Sequence, residues 1–330
     1  MASTISVVIT TFNQAPYIAA TVESVLAQTV AGREVVVIDD GSTDDTPAIL
    51  SQFSDRIRII RQRNQGVAAA RNRGVSETTG DLVAFLDGDD LWHETHLESQ
   101  LHAWGTFPNA GLIACDVEMF EEEQVGHRAA FRTWLFDGDE PWAACVECYD
   151  RCLIDNPIWT TSQIMIPRGI LNEVGHSDPL LPVASDYDLY LRIAERRPFA
   201  LINRVLTRWR YVSTSASGPQ HYRHFRWQED VLRVLKKHVA RTGDRERHAA
   251  LERSRATKMQ RLIKEVYYRG TDNDRRWAGR FLLRLGVTHW TPRVVPQLAA
   301  LFLPNVVKTG FKKVGLRFDP DPESRPATRV

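Results

Sequence analysis

Three carboxylates fall within four residues at Asp87-Gly88-Asp89-Asp90, directly after the apolar run Leu82-Val83-Ala84-Phe85-Leu86. That much negative charge in one turn is unfavourable unless a cation or hydrogen-bond donors offset it. Hard oxygen ligands suit Mg²⁺ or Mn²⁺ shared with a phosphate. The alternative is a solvated acidic turn capping a helix near Trp92. A second acidic break, Asp39-Asp40-Gly41-Ser42, ends the run Glu34-Val35-Val36-Val37-Ile38. A carboxylate there can accept a hydrogen bond from a planar base or a ribose hydroxyl, or it can cap a turn and the following helix. Arg71 and Arg73 lie in an Ala-rich segment after Asn64-Gln65-Gly66. Their forked donors suit phosphates, or they pair with Glu77 or Asp81 on an exposed helix face. Asp186 and Asp188, in Ser185-Asp186-Tyr187-Asp188, stand near a helix start. Carboxylates are ordinary there as caps, and in a cleft one could act as a general base.

Cys145, Cys148 and Cys152 are three and seven residues apart, which on a helix places them on one face. Cys115 would be the fourth ligand of a metal site. The competing reading is core packing, since free Cys is among the most buried residue types. His93 and His96 read as surface positions of a helix. The sequence carries no G-x-S-x-G, P-loop, H-E-x-x-H or G-x-G-x-x-G after a strand, which removes the reactions those motifs serve.

The acidic breaks need elements to hold them. Ile5–Ile9, Glu34–Ile38, Ile57–Ile60 and Leu82–Leu86 are short β-branched or apolar runs. Continuous apolar runs mark strands covered on both faces. Between them, residues 16–28 carry Tyr17, Ile18, Val22, Val25 and Leu26 at helical spacing. Ile49, Leu50 and Phe53 follow possible caps at Thr43 or Asp44, and residues 66–75 are helical in composition. Alternating strands and helices predict an α/β fold with a parallel, doubly wound sheet. Ligands of such sheets bind beyond the carboxyl ends of the strands, where both acidic breaks fall. A further strand is expected at Gly111–Cys115 and a helix at Asp186–Arg196. From residue 222 onward the pattern is helical.

The chain has 330 residues and a net charge of +1, but the charge is unevenly spread. Residues 1–218 hold seventeen Arg, no Lys and thirty acidic residues, a net −13, whereas residues 219–330 carry a net +14. Ordinary globular composition excludes a disordered chain or a disulfide-stapled mini-protein. No secretory leader or spanning segment is expected, and the four Cys suggest no disulfide framework, so the predicted location is cytoplasmic. The basic back lacks a nucleic-acid-binding motif, and no nucleic acid is expected as partner. Within it, Leu303, Val307, Phe311, Val314 and Phe318 form one stripe between Lys308, Lys312, Lys313 and Arg317. A helix over 303–318 would either lie peripherally at the inner face of the cell membrane or dock on the protein.

Taken in order, these pieces resemble glycosyltransferase family 2. The resemblance runs through Ser6–Asn13, Val25–Thr29, Val37–Asp44, Asn64–Gly74 and Gly80–Asp90, and continues more thinly at Glu173–Asp178 and Ser185–Arg192. It implies a Rossmann-like GT-A fold with a mixed, mainly parallel sheet and a helical C-terminal region. Residues 1–100 would bind the nucleotide sugar, 101–218 the acceptor, and 219–330 would form the basic helical part. The implied reaction is inverting transfer from a nucleotide-diphosphate sugar, usually a UDP-sugar, to a hydroxyl of a glycan or lipid-linked acceptor in bacterial surface polysaccharide synthesis. At matching positions, Thr10 and Asn13 would flank the nucleotide, Asp40 would bind the base and Arg71 would hold the nucleotide. Asp87 and Asp89 would form the DxD motif. Asp89 would be the direct ligand of Mn²⁺ or Mg²⁺, with Asp87 or Asp90 assisting or binding ribose. Asp186 would be the catalytic base, although Ser185 stands where the family has Glu. The family's Tyr-Arg-x-His becomes Trp209-Arg210-Tyr211-Val212, which keeps Arg210 and loses the His. Two other readings compete with it. A sugar-nucleotide pyrophosphorylase would need a Gly-rich phosphate loop where Thr11-Phe12-Asn13-Gln14 stands, and a basic scaffold or nucleic-acid-binding protein would be driven by residues 219–330.

Overall fold

Four of the expected strands lie parallel and adjacent, in the order β3-β2-β1-β4. These are β1 (Ile5–Thr11), β2 (Glu34–Asp39), β3 (Arg58–Arg61) and β4 (Leu82–Asp87). The computed structural model describes residues 3–121, 124–129, 135–136, 141–212, 226–269 and 272–284. Three helices connect the strands: α1 (Ile18–Leu26), α2 (Thr46–Ser51) and α3 (Val67–Ser76). Alternate residues of β1 enter different apolar clusters. Val7 and Ile9 pack with Ile18, Val22 and Val25, while Val8 packs with Val75, Val83 and Phe85. Both faces of the strand are therefore covered, which is why its sequence does not alternate apolar with polar. On the α3 side the contact is tight: a Cβ on Gly74 would lie 2.1 Å from Val8 Cγ1. Only glycine lets the helix carrying Arg71 come this close to β1.

β1 outlasts its apolar run because both neighbours pair with it to their ends. Thr10 stands opposite Ile38 and Asp87, and Thr11 opposite Asp39. Register thus gathers Thr10, Thr11, Asp39 and Asp87 at one sheet edge.

Among the described residues the sheet continues beyond β4 to ten strands. The strand β5 (Leu91–Trp92) follows the acidic turn and α4 (His96–Thr106) follows that. Next come β6 (Leu112–Glu121), β7 (Gln124–Ala129), β8 (Ala143–Val146) and α5 (Tyr149–Ile154). A short 3-10 turn, Thr161–Gln163, leads into β9 (Ile164–Pro167). Then follow α6 (Arg168–Val174), α7 (Ser185–Ala194) and β10 (Phe199–Arg210). β9 runs antiparallel to both β4 and β6, β10 runs parallel to β6, and β5 closes the order antiparallel to β10. The result is the expected mixed, mainly parallel α/β sheet.

Three helices complete the described chain: α8 (Arg226–Arg241), α9 (Arg245–Arg269) and α10 (Asp272–Arg284). The chain divides into two compact units, Met1–Arg255 and Ala256–Val330. In the first, Val231, Val234, Leu235 and Leu251 join the cluster that holds Tyr187, Leu189, Leu191 and Phe199. In the second, Met259, Leu262, Ile263, Val266, Ala278 and Leu282 are buried. The junction at 218/219 and the stripe at 303–318 lie outside the described residues. Among the described residues, no helix is long and apolar enough to cross a membrane.

Two local expectations are corrected. Cys145, Cys148 and Cys152 do not share one helix: Cys145 sits in β8 opposite Ala200, Cys148 precedes α5, and Cys152 lies within it. Cys148 and Cys152 pack in the core, and burial pushes the Cys148 thiol up to about 12. Among the described residues, no three His, Cys, Asp or Glu side chains converge as metal ligands. His96 is buried rather than at the surface. Its ring stacks on Trp92 at 4.1 Å, and burial pushes its pKa down to about 3. His93 is exposed, as expected.

Candidate active site

Asp87, the last residue of β4, is the hub of the strand-end cluster. Its Oδ1 accepts from Thr10 Oγ1 at 3.3 Å and from Arg71 Nη2 at 2.7 Å, and its Oδ2 accepts from Thr161 Oγ1 at 3.2 Å. Its own backbone N–H donates to Ser162 Oγ at 3.0 Å. Burial works against the Arg71 charge, but the Asp87 carboxylate more than offsets this and raises the pKa. Arg71 is therefore a fixed cation at the mouth of the sheet.

Gly88 turns the chain where space is closed on the side of the first strand. A Cβ there would lie 2.4 Å from Gln14 Oε1 and 2.9 Å from Thr11 Oγ1. The Gln14 side chain donates to Asp89, whose carboxyl is nonetheless pushed up to about 7, first by burial and then by the Asp87 charge. Arg210 Nε donates to the Asp89 carbonyl at 2.8 Å, and its guanidinium lies between the rings of Tyr17 and Phe120 at 4.7 and 4.4 Å.

Asp90 differs from the expectation of a ligand contact. It is 0% exposed, and both carboxylate oxygens are taken. Oδ2 accepts from Ser162 Oγ and Thr160 Oγ1, and Oδ1 accepts from Arg210 N at 2.9 Å. Asp90 thus ties the acidic turn to the 160–162 turn and to β10, and supports the site from behind.

Asn13 and Asp40 organise the loops above β1 and β2. Asn13 adopts a left-handed backbone, φ 52°, which Asn tolerates better than most residues. Its N–H donates to Ser42 Oγ at 2.9 Å, and its Oδ1 accepts from Thr43 N at 2.7 Å. The buried Asp40 carboxylate accepts from Gln62 Nε2, Gln65 N and Gly66 N at 2.7, 2.9 and 2.8 Å. It fixes the loop that feeds α3 and hence Arg71. With about four acceptor directions on a carboxylate, one remains for a further donor.

α7 brings the last expected residue to the same place. Asp186 accepts from Tyr187 N at 2.7 Å. Burial raises its pKa, the Arg71 charge works the other way, and Asp87 adds to the rise. Arg71, Asp87 and Asp186 therefore share one electrostatic neighbourhood. Tyr190, one turn further along α7, interacts with all three. Asp188 faces elsewhere, buried beside Arg192, Lys237 and His238.

The cluster leaves several buried polar atoms without a hydrogen-bond partner: Thr11 Oγ1, Gln14 Oε1, Arg71 Nε and Tyr190 OH. Stranded groups of this kind are costly in a finished core. Gathered around a cluster at the strand ends, they fit a polar ligand that supplies the missing partners.

Sequence reasoning missed Gln14, Thr161, Ser162 and Tyr190. The turn bearing Thr161 and Ser162 had a readable signal, because Thr160-x-x-Gln163 is a capping box and forms as one. Nothing in the sequence paired it with Asp87, more than seventy residues away.

A family model described as glycosyl transferase family 2 matches residues 6–171. An uncharacterized glycosyltransferase of Nostoc sp. is 40% identical over 113 residues, which are 33% of this chain and 35% of that protein. Chondroitin synthase of Escherichia coli is 28% identical over 204 residues, 61% of this chain and 28% of that protein. The chain spans between 16% and 58% of the length of these curated relatives. The crystal structure of S. aureus TarS 1-349 in complex with UDP-GlcNAc superposes with a TM-score of 0.64 at 15% identity, covering 86% of this chain and 81% of that one. The complex of the same protein with UDP gives 0.63 at 14% identity, covering 96% and 94%. At such identity the likeness is one of fold.

Proposed function

The chain belongs to glycosyl transferase family 2, and from that premise we propose that it moves a sugar from a nucleoside-diphosphate sugar to a hydroxyl acceptor at the strand ends of β1, β2 and β4. The observation that carries the reading is the meeting of Asp87, Arg71 and Asp186 beside buried polar atoms that lack partners. A UDP-sugar is the donor proposed, in line with the UDP and UDP-GlcNAc complexes of the structurally similar TarS. Thr10, Thr11 and Asn13 line the nucleotide side, and the free acceptor direction of Asp40 reads the base. The Arg71 guanidinium faces the diphosphate and opposes the negative charge that grows there as the glycosidic bond breaks.

The donor set suits a divalent ion: Asp87 and Asp89 offer hard oxygens, and a cation would favour the charged form of the desolvated Asp89 carboxyl. Mg²⁺ or Mn²⁺ held by Asp89, with Asp87 assisting, would supply positive charge to the diphosphate when bound.

On the acceptor side, Asp186 takes the proton from the attacking hydroxyl as the new bond forms. A partly desolvated carboxylate with a raised pKa is a better base than an ordinary surface Asp. A single displacement inverts the anomeric carbon and needs no enzyme nucleophile. The acceptor we propose is a hydroxyl of a glycan or lipid-linked sugar in bacterial surface polysaccharide synthesis. Transfer would take place in the cytoplasm or at the inner membrane face, with residues 303–318 as the peripheral contact.

A panel of UDP-, GDP-, ADP- and TDP-sugars with Mn²⁺ or Mg²⁺ tests the reading, scored by thermal stabilisation and nucleotide release. Stabilisation and release with one donor are expected. Neither signal with any donor would overturn it.

A further inference from the structure

The helix that carries Asp186 begins poorly. α7 has Ala184 at its N-cap, and no side chain caps it. The first turn of a helix has backbone N–H groups without intrahelical partners, so an uncapped start frays. α8 braces this start from outside. Asp230 Oδ2 accepts from the Val183 N–H, just before α7, at 3.2 Å. Two turns along the same face of α8, Lys237 Nζ lies 3.1 Å from Asp188 Oδ1, and His238 Nε2 lies 3.2 Å from the same oxygen. Lys237 also donates to Asp178 at 2.8 Å in the loop before α7.

The remaining contacts extend the brace to the site. Arg192 Nε donates to Asp188 at 2.9 Å, and its Nη atoms donate to the Gly175 and His176 carbonyls at 2.8 and 2.7 Å. In that loop Ser177 and Asn72 exchange hydrogen bonds of 2.8 and 3.0 Å, and Asn72 adjoins Arg71 on α3. Asp186 feels the charges of Arg71 and Asp87, while Asp188, two residues on and so on another face of the helix, is held by α8.

Resting on the reading of Asp186 as the base, we propose that α8 is a working part of the site and that Lys237 and His238 are positioning residues which hold Asp186 in place through Asp188. His238 is 2% exposed and lies between two carboxylates, with Nδ1 3.0 Å from Glu195 Oε1 and Nε2 facing Asp188. Ionised carboxylates only accept, so both ring nitrogens must donate and the ring is an imidazolium. Burial works against that charge, but Asp188 and Glu195 overcome it and raise the pKa. The other charges facing the ring are Arg192 at the end of α7, Lys237 beside it, and Arg247 of α9, which donates to the Glu195 carbonyl. The brace is complete below the ordinary histidine pKa and weakens as pH rises through the raised one. Asp188, held well below the carboxylate range by His238, Arg192 and Lys237 against its burial, stays ionised throughout.

The test uses the full chain as wild type, Lys237→Met, His238→Gln and Ser254→Ala. Ser254 donates to the Leu153 carbonyl, away from Asp188, and serves as a stability control. Three quantities are read: hydrogen exchange over residues 183–188, affinity for UDP with Mn²⁺, and kcat against pH with the donor found active. In Lys237→Met and His238→Gln, we expect faster exchange over 183–188, kcat lower by about tenfold, and UDP affinity within about twofold of wild type. Wild type should lose kcat on the alkaline side, and His238→Gln should lack that limb. Ser254→Ala should match the variants in lost thermal stability while keeping exchange over 183–188 and kcat. Unchanged exchange and kcat in folded Lys237→Met and His238→Gln would overturn the inference, as would an equal kcat loss in Ser254→Ala. A fully active Asp186→Asn would instead remove the reading on which it rests.

Discussion

Asp186 and Asp188, two positions apart on α7, are shifted in opposite directions from the ordinary carboxylate pKa. Burial raises Asp186, which looks into the strand-end cluster. Asp188 is more completely enclosed, but His238, Arg192 and Lys237 hold it low. Sequence treats the two alike, as acidic residues in a first turn. What separates them is which charges each meets: Arg71 and Asp87 for the one, and Arg192 with Lys237 and His238 of α8 for the other.

That difference predicts different failures. Asp186→Asn should leave the fold and nucleotide affinity near wild type while lowering kcat by about 10² or more. Asp188→Asn should unfold at lower temperature, since removing one partner of a buried ion cluster costs about 3–5 kcal/mol. Steady-state kinetics with calorimetric melting of both variants checks the contrast.

The pH dependence follows from the same shift. A base must be deprotonated to work, and the Asp186 pKa is raised. The acid limb of kcat should therefore fall above the ordinary carboxylate value of about 3.9. Turnover should drop as pH falls through that limb, and the limb should be absent from the residual activity of Asp186→Asn. A limb at or below the free carboxylate value would argue against Asp186.

Arg71→Lys keeps a charge but loses the planar guanidinium, whose Nη2 reaches both oxygens of Asp87 at 2.7 and 3.0 Å and whose Nε has no partner. We expect UDP affinity to fall by about tenfold, because a point charge does not reproduce a planar guanidinium. Isothermal titration of both proteins with UDP measures this.

Gly88→Ala tests the closure of the acidic turn against the first strand loop. Its Cβ would press on Gln14 Oε1 and Thr11 Oγ1. Gln14 can swing away, but it would then release Asp89. The variant should therefore lose nucleotide affinity before it loses much stability, as seen by comparing UDP titration with thermal melting.

The strand-end site was largely legible because its signals are local. An apolar run ending in carboxylates tells where a parallel strand stops, and such sheets put their ligands at that edge. The supports of the site were not legible. Thr161 and Ser162 reach Asp87 and Asp90 from far along the chain. α8 shows an apolar face with Val231, Val234 and Leu235, but a stripe does not say what it covers. His96 is no surface residue because Trp92 stacks on it and the Leu206 carbonyl accepts from its Nδ1, a purely tertiary arrangement. Cys145 failed as a helix residue because the short run Ala143–Val146 is completed as a strand by pairing with β10, and four residues carry too little periodicity to decide.

The central claim, that the strand ends hold a nucleoside diphosphate with the help of Asp89, is tested most directly by titrating UDP into the full chain with Mn²⁺, with EDTA, and with Mn²⁺ in Asp89→Ala. The account predicts binding to wild type with Mn²⁺ and at least tenfold weaker binding in the other two, on the order of 1.4 kcal/mol or more. Equal affinity in all three, or no binding of UDP or any other nucleoside diphosphate to wild type, would contradict it.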